Sequence, residues 1–371
     1  MKNPGSEHRD PCGACPERSE GLRVTSDPEG YRRTMSEINF QVHDKILLTG
    51  AGFTHNFGAP LARDVWASIF TNRHVQSRPR VRELLLNNFD FESVYQEITD
   101  GNDYERADKD AMKVAVDAAY ESIDLTIRNF LFADKSSVNI YSVNELIGQF
   151  APPRSTRTKG MFFTLNQDLF IERMYTNDNT VSFPGIQVHH NLAARQGQPL
   201  EAQDWCRLPT RSELENLKGA LRHEHFLYFK LHGSHDWLDS GGTNKLIIGT
   251  AKEKSIQQEP LLEWYFEIFR AALMQPERKL LVVGYGFRDA HINDVIAEAV
   301  NKSHLRFYVV NPAPISRFHE EIMLGHRGNE IWYGLAGYFP HSLREIFPGD
   351  QSKTGARKNI YENFFEIPQP R

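Results

Sequence analysis

Five short apolar runs in this chain each stop at a glycine, an asparagine or a histidine, and that pattern restricts the fold more than any other feature. Residues 45–49 (KILLT) run into Gly50, and residues 161–165 (MFFTL) into Asn166. Residues 226–231 (FLYFKL) run into His232, residues 280–283 (LLVV) into Gly284, and residues 307–310 (FYVV) into Asn311. Apolar runs this short, bounded by turn residues, have the length of strands buried on both faces, as in parallel sheets. Helical stretches lie between them, at 261–274 and 291–300 among others. Alternating buried strands and helices predict an α/β fold: an open parallel sheet with right-handed crossovers. Ligands of such sheets bind outside the carboxyl ends of the strands. Five strand ends carrying small or functional residues therefore predict one shared pocket.

Residues 63 to about 150 read as helices. The clearest covers 110–132, where Val114, Ala115, Ala118, Ala119, Ile123, Ile127, Phe130 and Leu131 recur near the helical period. Lys113, Asp117, Glu121 and Asp124 mostly fill its other face, and Pro152-Pro153 closes the block. The predicted organisation is a disordered leader over 1–35, a sheet domain over 36–62 and 151–337, a helical insertion or small domain over 63–150, and a C-terminal helix and tail over 338–371. The leader is rich in Pro, Gly, Ser, Arg and Glu without apolar period, and Met35 is one candidate for the natural start. Residues 176–224 are polar and irregular and read as an insertion. The aromatic stretch 333–339 fits either a contact surface or the core.

No apolar run reaches the roughly 18 residues of a membrane span, and no signal-peptide pattern opens the chain. The expectation is a cytoplasmic protein without membrane contact. A net charge of -5 gives no pull towards nucleic acid, so no direct nucleic-acid binding is expected. There are three cysteines. Cys12 and Cys15 form a CxxC, with His8 nearby as a third donor, but a closed structural zinc site needs four ligands. No metal is expected.

Each strand end has an ordinary structural alternative. Gly50-Ala51-Gly52-Phe53-Thr54 lets backbone amides approach a phosphate at a helix start, or is a tight strand-to-helix turn. Asn166 and Asp168 can reach one rim of the pocket, or cap the segment 169–174. His232 is a base at the pocket or a structural histidine, with His189, His190 and His235 close by in sequence. Ser234 beside His232 makes no hydrolase triad, since no G-x-S-x-G elbow precedes it. Gly284-Tyr285-Gly286 repeats the form of the first turn. Asn311 can bond a ribose or serve as a turn residue before Pro312.

Taken in order, GAGFTHNFGAP, TLNQD, LHGS, VVGYGF and VVNP resemble the sirtuin-like NAD-binding superfamily, as spaced motifs from Lys45 to Pro312. The resemblance implies a Rossmann-like sheet with NAD as substrate. Gly50, Ala51, Gly52 and Thr54 would hold the diphosphate. Asn166 would place the attacking water beside the nicotinamide ribose, Asp168 would hold the carboxamide, and His232 would be the base. Gly284, Gly286 and Asn311 would line the adenosine side, and Arg63 matches the arginine after the family's GxP segment. The fuller wording TLNQDLFIER, LHGS and VVGYGFRD looks like the bacterial sirtuin-like NADases of antiphage defence. A chain of this size resembles the effector paired with a HerA-type ATPase, which implies that partner and a homo-oligomer. Sirtuin deacylases carry a four-cysteine zinc module that this chain cannot supply. The family's GIPDFR is here Gly58-Ala59-Pro60-Leu61-Ala62-Arg63, with Ala62 in place of the aromatic that shields the reacting ribose. Both departures favour hydrolysis over transfer. The alternatives are a deacylase or ADP-ribosyltransferase using the same pocket, a non-catalytic subunit sensing NAD or ADP-ribose, and an unrelated Rossmann-type oxidoreductase. The last lacks the acidic residue expected about 20 residues after the first glycines.

Overall fold

The computed structural model describes residues 41–130, 137–175, 181–186, 192, 197–218, 224–239, 242, 244–246, 248–249 and 252–369. The leader with His8, Cys12, Cys15 and Met35 lies outside them, as do Leu131, His189, His190 and much of 176–224.

The five apolar runs are strands. Those described, in chain order, are β1 (Val42–Thr49), β2 (Lys159–Thr164), β3 (Cys206–Arg207), β4 (Phe226–Lys230), β5 (Gly233–Leu238), β6 (Asn244–Leu246), β7 (Lys279–Val283), β8 (Arg306–Val310) and β9 (Leu335–Phe339). Six form an open, wholly parallel sheet of order β4-β2-β1-β7-β8-β9. The chain builds outward from β1 to β4, then returns to the other side of β1 with β7. Strand order therefore reverses between β1 and β7, as in a Rossmann fold, and sheets of this kind bind ligands in the crevice beyond the carboxyl ends at that point. The register is level: Thr49 pairs with Thr164 and Val283, Thr164 with Lys230, and Val283 with Val310. The residues that follow thus form one row along the sheet's carboxyl edge.

The sheet is buried on both faces because its residues alternate between two cores. Leu47, Phe162, Tyr228, Leu281 and Tyr308 face one core, with the helices between Ala62 and Gly148 and the helix Gly355–Asn363. Ile46, Leu48, Phe163, Phe229, Val282 and Val309 face the other, with the helices Pro260–Leu273, Ala290–Ser303 and Ile315–Leu324. Strand β9 was less legible because it carries Ala336 and Gly337 in place of bulky residues. A Cβ on Gly337 would come within 2.5 Å of the Tyr308 ring, so glycine makes room for it. β3, β5 and β6 form a small second sheet. β5 is Gly-Ser-His-Asp-Trp-Leu, too polar to read as a buried strand, although Gly233 to Trp237 are buried.

The long helix is Arg106–Phe130, and its buried stripe differs from the periodicity expected. Met112, Val116 and Tyr120 point inward, whereas Val114 and Ala118 are exposed. Asp124, expected on the polar face, is buried because Arg173 binds it through two nitrogens, at 2.6 and 2.8 Å, and Arg128 lies 3.1 Å away. Arg173 is itself wholly buried. A buried ion pair thus pins this helix to the segment following β2. No helix among the described residues is long and apolar enough to cross a membrane.

Candidate active site at the carboxyl edge of the sheet

At the reversal point, backbone packs on backbone. Gly50 N donates to Val283 O at 3.0 Å, and Gly52 N donates to Gly284 O at 2.9 Å. Gly284 has φ +69, a conformation that favours glycine. A Cβ there would lie 2.2 Å from Phe53 N, and one on Gly52 would lie 2.7 Å from Gly284 Cα. The glycines of the first turn and of the β7 end therefore serve each other's close approach. Gly286, by contrast, is exposed. Asn311 caps its own turn: its Oδ1 accepts from Ala313 N at 2.9 Å. Arg63 lies exposed on the helix Ala62–Thr71.

Asn166 is buried two residues beyond Thr164. Its Nδ2 donates to Gly50 O at 3.0 Å and Thr54 Oγ1 at 3.3 Å, which ties the β2 end to the first turn. Held this way, its carbonyl oxygen is the end that can accept from a ligand. Asp168 accepts from Phe170 N at 3.0 Å, one residue before the N-cap Leu169, which makes no side-chain cap bond. Burial raises its pKa, against the opposing pull of Lys230, the Phe170 amide and the Thr54 hydroxyl.

His232 stands two residues beyond Lys230, which pairs with Thr164, so it occupies the place on β4 that Asn166 occupies on β2. Gln167 connects them: its Nε2 donates to His232 O at 2.9 Å, and its Oε1 accepts a short bond from Tyr120 of the long helix. The His232 ring faces His291, Nε2 to Nε2 at 2.9 Å, so one ring donates and the other accepts. Burial pushes His232 well below its ordinary pKa, Lys252 reinforces this and Asp289 opposes it. His291 is pushed down to about 4, again chiefly by burial. Both rings are neutral near pH 7. Ser234 donates to Asp236.

Asp289 is the N-cap of the helix Ala290–Ser303, yet its side chain makes no cap bond. It meets Lys252 at 2.8 Å instead, and Lys252 also meets Glu92 of the helix Phe91–Asp100 at 2.8 Å. Burial alone would raise Asp289, but the facing His232 ring and the Lys252 ammonium hold it down to about 2. Tyr285 fixes the loop through its hydroxyl, which accepts from Asp289 N at 3.1 Å and donates to Asn293 Oδ1 at 3.0 Å.

Residues 160–330 match the family of SIR2-like domains. The chain carries a SIR2-like domain. No curated protein matches the sequence. The match begins at β2 and takes in Asn166, His232 and the Asp289–His291 segment, while the Gly50 turn precedes it. SIR2-like domains bind NAD, so the crevice where strand order reverses is the expected place for NAD in this fold. Cys206 cannot contribute to a four-cysteine zinc module: it is buried against Asp204 O and Asp236, and the chain has only three cysteines.

Of the residues singled out from sequence, the structure brings together Gly50, Gly52, Thr54, Asn166, Gly284 and, through Gln167, His232. Gln167, Tyr120, Lys252, Glu92, Asp289 and His291 were missed. The spacing of Asp289 and His291, two apart just beyond a glycine-bearing strand end, was the available signal.

Proposed function

We propose that this SIR2-like chain hydrolyses NAD at the nicotinamide–ribose bond. What chiefly supports the reading is the equivalent placement of Asn166 and His232 on adjacent strand ends, beside the β1–β7 crevice. Breaking the bond leaves its electron pair on nicotinamide, which departs neutral, and builds positive charge on the ribose. Water adds to that carbon and gives up a proton, so the products are nicotinamide, ADP-ribose and one proton. The Asn166 carbonyl can accept from the water or a ribose hydroxyl and orient it. Neutral His232 can take the proton, a role worth roughly 10²- to 10⁴-fold in rate. Ala62 in place of a shielding aromatic, and the missing zinc module, favour water over an acyl-lysine acceptor.

In this reading the chain is a cytoplasmic antiphage effector that depletes NAD. It is held inactive until it assembles, as a homo-oligomer or with a HerA-type ATPase. A metal plays no part in the reaction. The test is chromatography of products after incubation with NAD, for wild type, Asn166→Ala and His232→Ala, alone and with any ATPase encoded beside the gene. Nicotinamide and ADP-ribose released by wild type, with each variant at least about 100-fold slower, is the expected result. Equal turnover by all three sinks the residue assignment. Tight NAD binding without turnover in any mixture favours the sensing subunit instead.

A further inference from the structure

The pairing of His232 with His291 is more than the proposed base requires. One ring nitrogen each of His232 and His291 and a carboxylate oxygen of Asp289 lie within 4.8 Å of one another. Two imidazoles on one tetrahedral ion with bonds of about 2.0–2.1 Å hold their nitrogens roughly 3.3 Å apart. The observed 2.9 Å needs only a small opening to reach that separation. Two histidines and one carboxylate, with a fourth position open to water, form a ligand set that zinc takes readily. The donors come from firm elements: His232 from a strand end, His291 from the first turn of a helix, and Asp289 from a loop tied by Tyr285. Lys252 holds the carboxylate through Oδ1 at 2.8 Å, and Glu92 meets the lysine's charge.

We propose that His232, Asp289 and His291 form a site for a divalent transition-metal ion of the zinc class, and that filling it blocks the base. The ion takes the place of the proton shared by the two rings and occupies the Nε2 lone pair on His232. Imidazole donors select zinc, cobalt, nickel or copper over magnesium and calcium. Binding stands on the geometry alone, whereas the block rests on the NAD-hydrolysis reading above.

The test is titration of the metal-depleted full-length chain with cobalt(II), followed by visible absorption. One ion per chain with tetrahedral bands, and without a thiolate charge-transfer band, is expected; that band would mark the Cys12–Cys15 pair. His291→Ala should lose this ion, and Asp289→Asn should bind it about tenfold or more weakly. Zinc should displace cobalt, and magnesium should not. Zinc should also slow NAD turnover at least tenfold, with recovery on chelation. Should the variants not fold, wild type still decides, because zinc must shift the imidazole nitrogen resonances of His232 and His291 in 15N NMR. No such shift, or unchanged binding by a folded His291→Ala, overturns the site. Binding that leaves turnover unchanged or raises it overturns the block alone. A metal-free wild type that never turns over NAD defeats the hydrolysis reading and the block together, leaving the binding data to judge the site.

Discussion

The two sides of the candidate site are built of different material. On the β1–β7 side, Gly50, Gly52 and Gly284 meet through backbone atoms, with the Gly52 amide bonded to the Gly284 carbonyl. On the β4 side, His232, His291, Asp289, Lys252 and Glu92 meet through side chains drawn from distant parts of the chain. The first side depends on having no side chain, so almost any replacement is a collision. The second depends on particular charges and rings, so a replacement alters chemistry before it alters the fold. A short glycine motif announces the first kind of construction, and no local pattern announces the second.

The contrast is tested most severely by Gly284→Ala. The new Cβ would meet Phe53 N at 2.2 Å in a backbone conformation that alanine avoids. We expect a loss of about 4 kcal/mol or more in urea unfolding, or no soluble protein at all. Near-normal stability would show that the two turns can separate. Next in size is Asp124→Ala, which removes the buried carboxylate that meets both Arg173 and Arg128. A cost of about 3–5 kcal/mol is expected, and a midpoint within error of wild type would mean that solvent reaches Arg173.

A pH series probes the side-chain half further. Burial lifts Glu172 from 4.5 to about 7, although Lys230 opposes it at 2.7 Å. The folded chain therefore holds a proton that the unfolded chain releases between those values. This contribution makes stability fall as pH rises from 4.5 to 7. Glu172→Gln should flatten that fall, and an unchanged slope would remove Glu172 from the account.

Tyr120→Phe is milder. It deletes the hydroxyl that reaches Gln167 and costs about 1–1.5 kcal/mol. Because Gln167 also holds His232 O, NAD turnover should fall while NAD affinity changes little; a matched fall in both would point to general loosening. Smallest of all is Gly286→Ala, whose Cβ would meet nothing nearer than Arg288 at 3.9 Å. A change within about 0.5 kcal/mol is expected. A large effect there would mean that glycine is needed along the whole β7 end.

The α/β class, the parallel sheet and five of its six strands could be read from the chain, because strands buried on both faces leave unbroken apolar runs such as KILLT and FLYFKL. The sixth, β9, escaped because Gly337 leaves room for the Tyr308 ring. β5 escaped because its buried residues are polar and bonded in pairs, as Ser234 is to Asp236. Asn166 and His232 were legible as strand-end residues. The wall opposite them was not, since Lys252 reaches Asp289 across 37 positions and His232 reaches His291 across 59. Asp124 shows the same limit inside one helix: it was expected on the polar face, because the Arg173 that draws it inward lies in another part of the chain.

The bond between Gly52 and Gly284 also bears on timescale. It ties the first turn to the neighbouring strand end across the reversal point, just beyond the last β1–β7 pair, Thr49 with Val283. Its amide hydrogen is then expected to reach solvent chiefly when those two strands part. Hydrogen exchange at Gly52 should keep pace with the middle of the sheet, and a segment that looks like a loop in the sequence would behave as part of the most slowly opening core.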